Sequence, residues 1–486
     1  MDRPERAGGR RSRARTLSTG DLWAFLAVAL PALAALAAVL SVGDLAYQVR
    51  AGRLMLDDLT ILRTDPFSLT VMGEPWLNVQ WGSQIVFGLV HRAGGWEGLV
   101  VLRAALFGAA FWLVYLTCRA RGAVKRVAAW LTLASLLLAS TIGSSFGLRP
   151  QLLALPLFAL SLWIVVGRRE RPQLLWVLPV VVAVWSNLHG SFVLGPLLIG
   201  LGLLEDLADR SPRTRRMLTV GGLALLATLA SPFGVGTWRY VVDLSTDPVV
   251  TRFISEWQPP TVRSLSGGAF FLSAGAVAVL VARSGRRLRW PTVLWLLVFL
   301  GIGLQAERNL VWWSFGVLPV VVPLLPEPRT RPDPPTAGAS AIAAALLLLG
   351  ILLLPWWRSA LPFTGTRPLL SEAPAGVGDE LERILEPGEG LFNAQNWGSW
   401  IEFALPAHPV FVDSRIEVFP EDVWDDYVAV SSGRSDWEEI LDRWEIRVVA
   451  AKRTQQEELI PLIREDADWS TAYEDGDGFV FVRTGG

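Results

Sequence analysis

The sequence predicts a polytopic α-helical membrane protein with about 11 transmembrane helices, followed by a C-terminal α/β domain. Three observations lead there. Hydrophobic residues make up 52% of the 486 and charged ones only 18%, with a mean hydropathy of +0.39, a balance unlike that of soluble domains. Apolar runs recur from residue 22 to residue 357. The net charge of −1 conceals two bodies: from Gly365 onward there are 26 Asp and Glu against 10 Lys and Arg, whereas the preceding residues hold 19 acids and 34 bases.

Residues 1–20 are rich in Arg and Ser without apolar periodicity, which reads as a disordered basic cytoplasmic tail. The run 22–42 is too long for a signal-peptide core and has no cleavage site before Asp44, so it is the first membrane helix of a transmembrane domain over 21–360. Further runs lie at 97–117, 127–146, 151–167, 174–188, 190–204, 217–231, 267–282, 290–305, 309–325 and 339–357. A first loop, 43–96, follows the first helix; within it residues 83–92 are too short to span and read as an interfacial helix. In the domain 365–486, Val410-Phe411-Val412, Arg447–Ala451 and Phe479–Val482 read as strands, and Asp436–Trp444 and Gln455–Ile463 as amphipathic helices. Trp397, Trp400, Val412 and Val449 are expected in its core, and Asp413 and Arg415 are expected to pair and close a turn. This domain is expected to fold independently.

Basic residues set the expected orientation. With a cytoplasmic N-terminus, the inner segments hold 23 Lys and Arg and the outer loops between spans nine. An odd number of spans then places the loop 43–96 and the domain 365–486 on the extracytoplasmic side of a plasma (inner) membrane.

One cysteine, Cys118, excludes an internal disulfide and a Cys-based metal cluster, and three scattered histidines argue against a His-rich site. No G-x4-G-K-[ST] loop is present. Under the expected topology, polar residues that interrupt apolar sequence collect on the outer side: Asp44 and Asp65 in the first loop, Arg149 in LRPQ, Asn187 and His189 in SNLHG, Glu256 in SEWQPP, and Glu307, Arg308 and Asn309 in AERN. A carboxylate base with guanidinium groups suits a reaction that deprotonates an acceptor and releases an anionic leaving group. Each residue also has a structural reading. Asp65 suits a turn cap, His189-Gly190 a tight helix turn, Glu256-Trp257 an interfacial anchor, Glu307 and Arg308 a mutual pair, and Arg149 a snorkelling cation.

The first loop carries Gly43-Asp44, Gln48, Gly52, Thr64–Ser68 (TDPFS), Pro75-Trp76, Asn78 and Trp81. Together with NLHG (Asn187–Gly190), SEW (Ser255–Trp257), ERN (Glu307–Asn309), NWGSW (Asn396–Trp400), VDSR (Val412–Arg415) and DDY (Asp425–Tyr427), this series resembles bacterial polytopic glycosyltransferases of the GT-C superfamily. The resemblance implies transfer of a sugar from a polyprenyl-phosphate donor to a glycan, lipid or protein acceptor on the extracytoplasmic side. Asp44 would be the general base, with Asp65 beside it as a second catalytic candidate. Gln48, Gln80, Arg149, Asn187, His189, Glu256, Glu307 and Arg308 would bind substrate. Similar sequences often carry His at the place of Gln48 and Glu at that of Gln80; glutamine does not titrate, which leaves the activity open at these two positions. No resident cofactor is implied, and a requirement for Mg²⁺ or Mn²⁺ stays open. A nucleic-acid partner is not expected. The rival readings are a transporter, a lipid-linked polysaccharide polymerase or ligase, and a catalytically silent scaffold presenting the C-terminal domain.

Overall fold

The computed structural model describes residues 16–140, 147–326, 333–358 and 369–484; most of the basic N-terminal tail lies outside them. Ser18 caps helix α1 (Thr19–Ala37), accepting from the Asp21 backbone while the Asp21 carboxylate reaches back, the reciprocal arrangement of a capping box. α1 ends before a two-residue strand, β1 (Leu40–Ser41), and the amphipathic helix α2 (Leu45–Asp58).

The continuous helix α3 (Trp81–Ala120) absorbs both the expected interfacial helix and the second apolar run. The two remain distinct segments, because Gly95 takes φ +62° and breaks the helical path between them. α2 packs on the first segment through Gly52 and Gly88. A Cβ on Gly52 would fall 1.8 Å from the Gln84 carbonyl oxygen, so the two backbones cross closer than any side chain allows.

The remaining runs fall on α4 (Lys125–Ser140), α5 (Pro150–Val166), α6 (Leu178–Ser186, entered by a 3₁₀ turn from Pro172), α7 (Leu194–Ala208) and α8 (Thr214–Ala227). Two short helices, α9 (Gly236–Thr246) and α10 (Pro248–Phe253), precede α11 (Leu265–Ser284), α12 (Trp290–Gln305), α13 (Leu310–Gly316), α14 (Leu318–Val321) and α15 (Ala337–Leu352). Among the described residues four helical stretches are 18 residues or longer and apolar enough to cross a bilayer, and four shorter apolar ones accompany them. The chain is a membrane protein. One aromatic-rich core runs through the bundle, with Phe158 against Trp185, Phe299 and Trp312.

Arg103 is fully buried in α3 and explains how the chain leaves α1. Its guanidinium donates to the carbonyls of Ala38 (2.7 Å) and Val39 (3.0 Å), which the end of α1 leaves without helical partners. The segment 40–44 therefore starts from a fixed point.

Residues 369–484 form an α/β unit around a four-stranded sheet of order β3 (Gly390–Asn393), β4 (Ile446–Lys452), β6 (Gly478–Arg483), β5 (Trp469–Glu474). β3 and β4 are parallel and the other pairs antiparallel, with Val449 opposite Phe481. Alternate side chains feed two apolar clusters, one containing Val412 and Val449 and the other Trp397. Trp400 is only half-buried and faces Trp96 and Phe403 at the bundle boundary instead of the domain core.

Two expectations change here. Val410-Phe411-Val412 is not a strand of the sheet; Val410 makes a parallel bridge to Ser68 of the first loop. The domain also does not stand apart from the first loop. Leu69 N donates to Val410 O at 2.7 Å, Thr70 Oγ1 donates to Phe411 O, and Val71 is buried in the domain's own core. β2 (Leu370–Ser371) pairs in parallel with β1. Both backbone groups of Val410 and the carbonyl of Phe411 are satisfied by the first loop, while Phe411 N donates to Asn393 Oδ1, so loop and domain form one packed body.

Candidate active site

Asp44 begins α2 directly after β1, where the chain leaves the bundle. Its carboxylate meets Arg149, the residue before the N-terminal proline of α5, with Nε to Oδ2 at 2.6 Å. The same guanidinium donates from Nη1 to both oxygens of Glu256, at 2.9 Å each. Glu256 sits in a 3₁₀ turn, Ser255–Trp257, ahead of α11. One arginine thus bridges two carboxylates that are 212 residues apart in the chain. Asp44 beside it, with Glu256, holds the Arg149 proton more firmly than usual in spite of burial.

Arg308 occupies the 3₁₀ turn between α12 and α13. Its side chain stacks 4.7 Å over the Trp257 ring and donates at 3.2 Å to the neutral Gln151 amide oxygen. Among the described residues no carboxylate makes an ion pair with it. Burial works against its charge, offset in part by the more distant Glu256. His189 caps the turn after α6 by accepting from Ser191 N through Nδ1. Burial, reinforced by Arg308, lowers this imidazole to about 3, so it is neutral at physiological pH.

These residues line a single cavity of about 510 Å³ with Gln48, Gln80, Tyr240, Asn309, Gln395, Asn396, Ser414, Arg415 and Glu417. A second, narrow cleft of about 60 Å³ shares Arg149, Gln151 and Arg308 with it and is otherwise apolar, walled by Phe107, Phe111, Leu152, Leu155 and Val311. Guanidinium groups therefore stand where a polar chamber meets a greasy slot between helices.

The other sequence candidates lie elsewhere. Asp65 does not line the cavity. It is fully buried, accepts from the backbone of Phe67 (3.0 Å) and Ser68 (3.2 Å), and pairs with Arg415 at 3.0 Å. The TDPFS turn needs that carboxylate for its own amides, so the turn-cap reading wins. Glu307 makes no ion pair with Arg308 among the described residues and accepts from Ser264 Oγ at 2.7 Å. Asn187 holds the Trp81 indole and the carbonyls of Ala183 and Ala230, beside a different surface hollow. Gln48 and Gln80 do border the cavity and bond to each other, Nε2 to Oε1 at 2.9 Å.

Arg415 pairs with Asp413 (Nε to Oδ2, 2.8 Å) as expected, yet the same guanidinium also reaches Asp65 and lies 4.7 Å over Trp76. Against the burial that would raise it, Arg415 holds Asp413 below the usual carboxylate range. Burial, with Asp413 nearby, pushes Glu402 well above it. The TDPFS and PW pieces of the first loop and the VDSR piece of the C-terminal domain are thus two halves of one buried contact. The sequence reading did not assign site roles to Tyr240, Gln395, Asn396, Ser414 or Glu417; the nearby NWGSW and VDSR pieces were the available signal.

Among the described residues no group of three or more His, Cys, Asp or Glu is placed to hold a metal ion. The cavity carboxylates Asp44 and Glu256 share the Arg149 cation.

No family model and no curated protein sequence matches this chain. Its structure is similar to the oligosaccharyltransferase of Archaeoglobus fulgidus tethered to an acceptor peptide, with a TM-score of 0.54 and 11% identity over 95% of this chain and 74% of that one. It is similar to ArnT from Cupriavidus metallidurans in the apo state, with a TM-score of 0.51 and 16% identity over 95% and 98% of the two chains. The undecaprenyl phosphate-bound form of ArnT matches with the same score and identity. The fold is GT-C-like. At these identities the likeness concerns the fold, and the chain's own chemistry has to be argued from its cavity.

Proposed function

We propose that this GT-C-like protein transfers a sugar from a polyprenyl-phosphate donor to an acceptor on the extracytoplasmic face of the membrane. The observation that carries the reading is the cavity that joins Asp44 to Arg149, Glu256 and Arg308, with Arg308 lacking any carboxylate partner among the described residues. A half-buried guanidinium without an anion beside it is a costly arrangement unless a ligand supplies the anion. The apolar cleft that begins at the same arginines suits a prenyl tail, and ArnT, of similar fold, has been seen with undecaprenyl phosphate.

In this mechanism Arg308 meets the phosphate and neutralises the charge that builds on it as the glycosidic bond breaks. Asp44 accepts the proton of the acceptor hydroxyl. Arg149, between Asp44 and Glu256, orients that carboxylate and adds positive charge on the leaving-group side. His189, neutral, shapes the wall behind Arg308.

Binding of polyprenyl phosphate to the purified protein in lipid nanodiscs tests this. Arg308→Ala is expected to weaken it by about ten- to a hundredfold, the range expected for losing a charge-assisted contact. Unchanged binding in that variant, or no binding by the parent protein, would remove the donor assignment.

The orientation rests on the distribution of basic residues, 23 on the inner segments against nine in the outer loops between spans. It puts the N-terminus in the cytoplasm, eleven crossings in the bundle, and the cavity with the domain 365–486 outside. Reporter fusions after Arg126 and after Gly486 are expected to lie on opposite sides; the same side for both would overturn the orientation.

A further inference from the structure

The cavity has two unlike ends. One carries Arg149 and Arg308. The other is built largely by the C-terminal domain, through Gln395, Asn396, Ser414, Glu417 and Arg415, whose guanidinium is already paired with Asp413 and Asp65, with Tyr240 of α9 completing it. Glu417 is the odd group there. Its Oε1 accepts from the Tyr240 hydroxyl at 3.1 Å, and among the described residues no cation pairs with it. Asp44 and Glu256 share Arg149, and Asp65 and Asp413 share Arg415, so Glu417 is the cavity carboxylate left with no cation of its own.

We propose that this end is a subsite for the neutral glycosyl group of the donor, with Glu417, oriented by Tyr240, accepting hydrogen bonds from its hydroxyls. The proposal rests on the reading of the cavity as a glycosyl-transfer site. A carboxylate with free lone pairs, flanked by two amides and a hydroxyl, is a surface for groups that donate hydrogen bonds. It repels a phosphate, which separates the two ends of the ligand and fixes its direction. Tyr240 and Glu417, bonded to each other, line the same cavity as Arg308, so a ligand with its phosphate on Arg308 can extend its next group toward them. Burial raises the proton affinity of Glu417, in keeping with a carboxylate that gains from a donor hydroxyl. Because Glu417 and its neighbours come from the C-terminal domain, sugar choice would reside in that domain and phosphate capture in the bundle.

The test measures equilibrium binding to the full-length protein in nanodiscs, using one prenyl chain carrying a bare phosphate and the same chain carrying phosphate-linked neutral hexoses and pentoses. The parent protein is expected to bind at least one sugar-bearing lipid more tightly than the bare phosphate. Glu417→Gln keeps the size and one acceptor of the side chain; it is expected to reduce that preference by about five- to tenfold while leaving bare-phosphate binding within twofold. Tyr240→Phe, which only frees the carboxylate from its partner, is expected to lose part of the same preference. Arg308→Ala is expected to weaken both ligands alike. Equal losses for both lipids in Glu417→Gln, no loss for either, or a parent protein that binds the bare phosphate yet prefers no sugar-bearing lipid, would each overturn the subsite. Failure of the parent to bind any prenyl phosphate would instead overturn the donor assignment on which the subsite rests.

Discussion

Asp44→Asn is expected to lower glycosyl transfer by ~10²–10⁴-fold, the usual contribution of a general base, with the protein still folded and inserted. The exchange keeps the shape of the side chain and removes its ability to take a proton. Structural damage should be small, because Arg149 retains both oxygens of Glu256 and the segment leading to Asp44 is held separately. That segment is pinned by Arg103 on the carbonyls of Ala38 and Val39 and by the pairing of β1 with β2. Transfer of label from a prenyl-phosphate-linked sugar into membrane acceptors, compared at equal protein level, reads the effect. An Asp44→Asn protein with full activity would exclude this carboxylate as the base. If prenyl-phosphate binding is retained while turnover is lost, the residue acts on the reaction and not on donor capture.

Arg415→Met is expected to be the most destabilising single change in the C-terminal half. Arg415, Asp65 and Asp413 are all buried, and removing one partner from such a pair typically costs ~3–5 kcal/mol because the remaining charges have no solvent. Methionine preserves the apolar contact with Trp76, Phe67 and Tyr47 that the guanidinium now makes, so the loss isolates the charge. The first loop should loosen from the domain, seen as a lower thermal midpoint and faster proteolysis between Thr64 and Trp76. Adding Asp65→Asn to Arg415→Met should recover part of the loss by neutralising one orphaned carboxylate. A double variant no more stable than Arg415→Met would show that the ion pair is not what binds the two parts together. The contact also bears on function: Arg415 borders the cavity, and the loop it anchors is joined through α2 to Asp44.

Composition, apolar runs and the distribution of arginines were enough to read a membrane bundle with an acidic domain attached. These are properties of solvation, and solvation acts residue by residue along the chain. Most helices of the bundle fall where the apolar runs are, though α2, α9 and α10 lie between those runs, and β4 and β6 fall where the Val- and Phe-rich strands are expected. Asp44, Arg149, His189, Glu256 and Arg308 were legible for a related reason: each interrupts apolar sequence at a helix end, where a polar group needs a purpose. Which of those polar groups face one another was not legible. Asp65 and Asp44 look alike in sequence, both acidic and both in the first loop. Only the packed structure shows that Asp65 spends its lone pairs on Phe67, Ser68 and Arg415, while Asp44 opens onto the cavity. Val410–Val412 has the composition of a strand, yet its partner at Ser68 lies more than 300 residues away. Glu417 gives no local sign at all, since its distinction is that among the described residues no cation makes an ion pair with it. Hydrogen-bond satisfaction and charge pairing depend on neighbours that are remote in the chain, and tertiary packing alone chooses those neighbours.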